Sequence, residues 1–291
     1  MFRVALLFLV LAVPALAAPP VPTGGVTIVA AETVYAGVAR AIAPDGTRIT
    51  ALIANPAQDP HLFEAGPDAA RWLSRADIVI YNGAGYDPWM RDLLAATASG
   101  RLREVINVAD LVHAGAGANP HIWYDPQTGL ALATFLAARL SALEPQRAAQ
   151  IDANLAAFRA SLAGLRKAMD DLRTRHPRVR VAATEPVFGP MLAALGYQSL
   201  DPGLELAVQN NVEPAAAGYG GLLDALRAHQ AAALIVNTQA ETDLTRRLMA
   251  VARQSHVPIV SVTETEPANM TYAAWLSREV AALGAALDQP R

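Results

Sequence analysis

Two short segments carry residues with a clear capacity for chemistry. Asp59-Pro60-His61, in NPAQDPHLFEAGP, and Asn119-Pro120-His121, in GANPHIWYDP, each set a histidine directly after a proline in a loop following a predicted strand. The fixed proline φ restricts the backbone, which helps to pre-organise an imidazole. A single histidine in such a place is more often a hydrogen-bonded core residue than a ligand. The recurrence of Pro-His in equivalent settings is what makes the two a candidate binding element. Two acids occupy matching positions in the second half. Glu185, in ATEPVFG, follows the strand predicted over 178–183, and Glu264, in SVTETEP, follows the strand predicted over 257–262. Taken alone, each reads better as a solvated loop residue or a helix N-cap partner. In open parallel sheets, ligands bind in the crevice beyond the carboxyl ends of the strands. All four residues fall there, so two lobes facing each other could converge two imidazoles and two carboxylates.

Such a set suits a borderline divalent ion. Imidazole favours zinc, iron or copper, and carboxylates favour harder ions such as manganese. Two negative charges offset the cost of burying a dication. Four protein ligands would close the coordination sphere, whereas catalytic zinc usually keeps a position open for water; this favours carriage over catalysis. Binding should weaken in acid, because imidazoles must be neutral and carboxylates ionised to ligate. A ligating histidine usually donates its other ring N–H to a carboxylate, carbonyl or water. Asp59, Asn82 and Asp125 are near enough in sequence to accept it. Asp125 fits equally as a helix cap before Pro126, and Asn82 as a turn residue before Gly83. Trp89 and Trp123 read as packing residues. His113 stands in a loop and is a candidate to help the ion enter, while His176, His229 and His256 fall near helix ends, where a cation favours the helix dipole.

The elements that must position these groups follow from periodicity. VTIVA (26–30), TRITALIA (47–54), DIVIYN (77–82) and EVINV (104–108) read as strands, with helical segments around 32–43 and 68–74 between them. That alternation indicates a parallel sheet with helices on its faces. Residues 126–143 and 146–175 are long, alanine-rich and helical. In the second, Ile151, Leu155, Phe158, Leu162, Leu165 and Met169 recur at spacings of three and four. A helix of that length, roughly 45 Å at 1.5 Å per residue, suits a strut between lobes. The βα pattern then resumes, with strands at 178–183, 232–237 and 257–262 and helices near 189–196, 213–228, 241–255 and 271–287. The predicted fold class is therefore α/β: an N-terminal lobe over 24–145, a linking helix over 146–175 and a C-terminal lobe over 176–291.

Composition narrows the function classes. The 291 residues exceed what one core usually holds, so two domains are expected. The formal net charge of −3 leaves no basic excess to neutralise phosphates, which disfavours nucleic acid as a partner. Residues 1–18 have the grammar of a signal peptide: Arg3, an apolar run over 4–13 and the small-x-small pattern Ala15-Leu16-Ala17. The sequence contains no cysteine. Disulfides, thiolate ligands and a lipidated cysteine are thereby excluded, and a periplasmic protein without a lipid anchor is expected.

These motifs together resemble the solute-binding proteins of zinc and manganese ABC importers, over nearly the whole chain after residue 18. DPHLFEAGPDAARWLSRADIVIYNGAGYDPWM is similar to the family's first metal-His segment and the strand and turn after it, and NPHIWYDP to its second. The resemblance implies two α/β lobes bridged by one rigid helix, with a metal ion as cargo at their interface. His61 and His121 then match the first two ligands. Glu185, with Phe188 three residues on, matches the glutamate form of the third, typical of manganese binders. The fourth ligand is usually aspartate; here Glu264 stands in its place and Glu266 competes with it. The His- and Asp-rich loop of many zinc binders is absent before His121. The implied cargo is zinc or manganese, with iron a further candidate. The implied partner is an ABC-type membrane permease served by a monomer, and the rigid helix implies local loop ordering rather than wide hinge closure on loading. Two other functions compete. A metal hydrolase could use the same histidines, although no HExxH, GxSxG or Walker sequence occurs. A helix-strut binder of an organic metal chelate would be expected to line a wide site with aromatics or arginines, and only 6% of the residues are aromatic.

Overall fold

The computed structural model describes residues 25–55, 63, 65–97, 103–115, 117–210, 212–213 and 215–290. Residues 1–18, expected from sequence to form a signal peptide, and Asp59 and His61 lie outside the described residues.

The first lobe runs β1 (Thr27–Glu32), α1 (Thr33–Ile42), β2 (Arg48–Ile53), α2 (Pro67–Arg75), β3 (Ile78–Tyr81), α3 (Trp89–Ala96), β4 (Glu104–Asn107) and α4 (Val108–Leu111). After a single turn at Ile122–Tyr124 come α5 (Pro126–Leu143) and the long α6 (Ala148–Arg175). The second lobe runs β5 (Arg180–Ala183), α7 (Gly189–Leu195), β6 (Gln198–Ser199), α8 (Pro202–Gln209), α9 (Ala216–Arg227), β7 (Leu234–Asn237), α10 (Asp243–Gln254), β8 (Ile259–Val262) and α11 (Tyr272–Leu287). The two-lobe α/β architecture expected from sequence is therefore present. Elements α3, α4, β6 and α8 were not anticipated.

Both sheets are wholly parallel and share one topology, β2-β1-β3-β4 and β6-β5-β7-β8. The chain steps outward from β1 to β2 and then returns to the other side of β1 with β3; β5, β6 and β7 repeat the move. Each reversal opens a crevice at the carboxyl edge, between β1 and β3 and between β5 and β7. The inner strands are largely apolar because helices cover both faces; in β7 all four residues, Asn237 included, are buried.

Helix α6 presents Ile151, Phe158, Leu162, Leu165, Met169 and Leu172 as a buried stripe. At 28 residues it is about 42 Å long. Its stripe joins side chains from both lobes into one continuous core containing Ile28, Leu136, Val181 and Leu276. A core continuous through the strut resists hinge motion, since packed interiors do not deform gradually.

Candidate metal centre

His121 opens the Ile122–Tyr124 turn and is fully buried. Its ring is held by its own motif: Nδ1 lies 2.8 Å from Asn119 Oδ1, and the His121 backbone N–H donates to the same oxygen at 3.0 Å. The amide oxygen can only accept, so Nδ1 carries a proton, and in the neutral ring the lone pair is then on Nε2, the form in which imidazole ligates. Asn119 Nδ2 in turn donates to the Pro186 carbonyl at 2.6 Å, which ties this turn to the residue after Glu185.

Glu185 lies two residues beyond β5, Glu264 two residues beyond β8, and Asn237 is the last residue of β7. Strand ends thus bring all three to the second crevice. Asn237 Nδ2 donates to Glu185 Oε2 at 2.6 Å and to Glu264 Oε2 at 3.2 Å, so one amide joins the two acids. Glu264 Oε1 accepts from the Tyr86 hydroxyl of the opposite lobe at 2.8 Å and stands 3.5 Å from His121 Nε2. Burial, and next the Glu264 charge, push the Tyr86 hydroxyl well above its ordinary pKa, so it remains a donor. The Glu264 loop is fixed by Gln239, whose Oε1 accepts from the backbone of Glu264 at 2.6 Å and of Thr265 at 3.0 Å.

The 3.5 Å gap between imidazole and carboxylate is close to that of two donors sharing one ion. Ligands each about 2.1 Å from a tetrahedral centre lie roughly 3.4 Å apart. Among the described residues no three histidine, aspartate or glutamate side chains form a group able to hold an ion by themselves. The described part of the site is the His121–Glu264 pair, with Glu185 joined to it through Asn237.

Glu266 sits elsewhere. Its carboxylate packs on α1 in the space a side chain at Gly37 would need, and burial raises its pKa to about 8 against the pull of Arg40. Asn82 does not meet the His121 ring; its Nδ2 holds the Pro120 carbonyl at 2.9 Å and so fixes the backbone just before His121. The turn after it is secured by Asp87, which accepts from the N–H groups of Asn82 at 2.7 Å and Gly83 at 2.8 Å. Asp125 caps α5 by accepting from Gln127 N–H at 2.9 Å, so the hydrogen bond from His121 goes to Asn119 instead. His113, His229 and His256 have left-handed backbones (φ 55°, 52° and 53°) just past α4, α9 and α10, a position that ends helices. His176 Nε2 is 2.7 Å from Asp288. Asn119, Asn237, Tyr86 and Gln239 were missed in the sequence; the first lies inside the quoted motif, and Asn237 satisfied the same strand-end rule as the acids.

A family model described as ZnuA, zinc-uptake complex component A, periplasmic, matches residues 28–286. The chain belongs to this family. Its relatives include the manganese ABC transporter substrate-binding lipoprotein PsaA of Streptococcus pneumoniae, 23% identical over 82% of this chain and 79% of PsaA. The iron ABC transporter substrate-binding lipoprotein MtsA of Streptococcus pyogenes serotype M1 is 27% identical over 48% of this chain and 49% of MtsA. The matches to MtsA and to SloC of Streptococcus mutans thus span about half the length of those proteins, 49% and 53%. Among solved structures, the periplasmic zinc-binding protein TroA of Treponema pallidum shares the fold with a TM-score of 0.76, at 19% identity over 91% of this chain and 100% of TroA. PsaA, MtsA and SloC are each named as substrate-binding components of metal ABC transporters.

One expectation is overturned. PsaA, MtsA and SloC are all named lipoproteins, against the reading of a protein with no lipid anchor. That reading rested on the zero cysteine count, which speaks to thiol chemistry within this sequence and does not decide attachment to a membrane. A location outside the cytoplasm is supported by the family's periplasmic description.

Proposed function

We propose that the protein captures one divalent transition-metal ion, zinc or manganese with iron a further candidate, and delivers it to an ABC-type permease. The ligands in this reading are His61, His121, Glu185 and Glu264, gathered from a lobe over 24–145 and a lobe over 176–291 across the 146–175 strut. The observation that carries it is the 3.5 Å approach of His121 Nε2 to Glu264 Oε1, an imidazole of one lobe against a carboxylate of the other. The names of PsaA, MtsA and TroA support manganese, iron and zinc as the class of cargo.

The tightness of this cluster disfavours an organic chelate as ligand: Asn237 spans both acids through contacts of 2.6 and 3.2 Å. It also disfavours hydrolysis, because four protein ligands leave no position for an attacking water. In this reading the protein has no catalytic residue, acts as a monomer and does not engage nucleic acid. The test is titration of chelator-stripped protein with Zn(II), Mn(II) and Fe(II) against a chromophoric chelator. One tight equivalent of a free ion is expected. Failure to bind any of the three, or a preference for a chelated ion over the free one, would overturn the reading.

A further inference from the structure

The turn that carries His121 is gripped from the opposite lobe by one face of α11. Tyr272 donates to the Trp123 carbonyl at 2.6 Å. Seven residues on, and so on the same helix face, Glu279 is buried and its Oε2 meets the Tyr124 hydroxyl at 2.6 Å. Tyr124 is three residues past His121. The same hydroxyl donates to the carbonyl of Thr263, the residue before Glu264. Glu279 Oε1 completes the junction by accepting from Thr263 N–H at 3.1 Å, Thr263 Oγ1 at 3.3 Å and Trp275 Nε1 at 2.7 Å, with Arg278 3.6 Å away. One carboxyl and one phenol therefore connect the backbones that bear the two facing groups of the candidate centre.

We propose that Tyr124 and Glu279 are positioning residues for the cargo ion: their hydrogen-bonded junction fixes the gap between His121 and Glu264 before the ion arrives. The inference rests on the metal-capture reading. A phenol has one proton, yet Tyr124 meets two oxygens. Both contacts are satisfied together when Glu279 is protonated, its O–H donating to Tyr124 Oη while the phenol donates to the Thr263 carbonyl. Burial, acting against hydrogen bonds from Tyr124, Thr263 and Trp275, raises the Glu279 carboxyl above its ordinary range, in keeping with that arrangement. A glutamine reproduces it, since its amide N–H donates to Tyr124 and its oxygen accepts from Trp275 and Thr263. A leucine does not.

The test compares the full chain with Tyr124→Phe, Glu279→Gln and Glu279→Leu. Zinc affinity is measured by chelator competition, the visible spectrum of each cobalt(II)-loaded form is recorded, and the melting temperature is taken metal-free. Loss of affinity of about tenfold or more is expected in Tyr124→Phe and Glu279→Leu, in the range for groups that orient metal ligands. Their cobalt spectra should be altered even at saturation, whereas Glu279→Gln keeps wild-type affinity and spectrum. A Tyr124→Phe protein that binds zinc as wild type does, with the wild-type cobalt spectrum, would overturn the proposal whatever its melting temperature. So would a Glu279→Gln protein as impaired as Glu279→Leu. Wild type that binds no ion would instead overturn the metal-capture reading, and this inference with it.

Discussion

His121 Nε2 stands 3.5 Å from Glu264 Oε1, with the imidazole supplied by the turn before α5 and the carboxylate by the loop after β8. The turn orients its own imidazole, whereas the acid is held by residues outside its loop. Asn119 orients the ring, and Tyr86 and Gln239 hold the acid and its backbone. The pairing is thus built by both lobes, and the core that continues through α6 keeps them in register.

Replacing the acid tests the pairing. Glu264→Gln keeps the side chain's shape and an acceptor for Tyr86 while removing the charge. Zinc affinity by chelator competition should fall more than about 100-fold, beyond the usual effect of groups behind the ligands. Affinity within a few-fold of wild type would exclude Glu264 as a ligand.

Asn119→Ala removes the acceptor that sets the His121 tautomer. Zinc affinity should drop by about 10- to 100-fold, the range for partners of ligating histidines. An unchanged affinity would mean that the ring is oriented by other contacts.

Asn237 is the shared donor of Glu185 and Glu264. Asn237→Leu leaves two buried acids without it, and metal-free stability should fall by about 1–3 kcal/mol, the usual cost of an unsatisfied buried polar group. Denaturant unfolding in the presence of a chelator measures this. Equal stability of variant and wild type would contradict the role given to the amide.

Much of this was legible in the sequence, for reasons particular residues make plain. Strands β1, β3, β5, β7 and β8 are short apolar runs bounded by turn residues, and α6 carries an unbroken three-four stripe. Glu185 and Glu264 were singled out because the crevice rule needs only strand ends, and His121 because the Pro-His pair recurs; in the structure His121 follows α4 rather than a strand. The rule applied equally to Asn237, but an amide has no chemistry of its own until two acids are known to converge on it. Glu279 was hidden differently: it sits in a helix whose alanines, leucines and valine read as core, 15 residues beyond Glu264, and its partner Tyr124 lies 155 residues away. Helix α8 had a signal that was passed over, Asp201 before Pro202; Asp201 does accept from Leu204 N–H at 3.0 Å. Glu264 and Glu266 compete by spacing; in the structure Glu264 faces His121 whereas Glu266 packs against Gly37.

Away from the site, Glu205 makes stability depend on pH. Burial, and to a lesser degree the Asp201 charge, raise its pKa to about 8 despite the Ser199 hydroxyl, whereas an unfolded glutamate titrates near about 4.3. Between those values the folded chain binds the extra proton. The stability this group contributes is therefore complete below the unfolded value and lost as pH rises through about 8. In metal-free melts Glu205→Gln should flatten the decline from mildly acidic to mildly alkaline pH. Part of the slope should survive in Glu266, whose pKa is also about 8. Parallel profiles for variant and wild type would refute the assignment.

The central claim is that the two Pro-His segments and the acids of the second crevice hold a cargo ion. The most direct measurement is metal content by mass spectrometry of tag-free protein beside a His61→Ala/His121→Ala double variant. About one zinc, manganese or iron per chain in wild type, lost in the double variant, is the expected result. A wild-type protein that carries no metal and takes up none on reconstitution, or a double variant that retains a full equivalent, would contradict it.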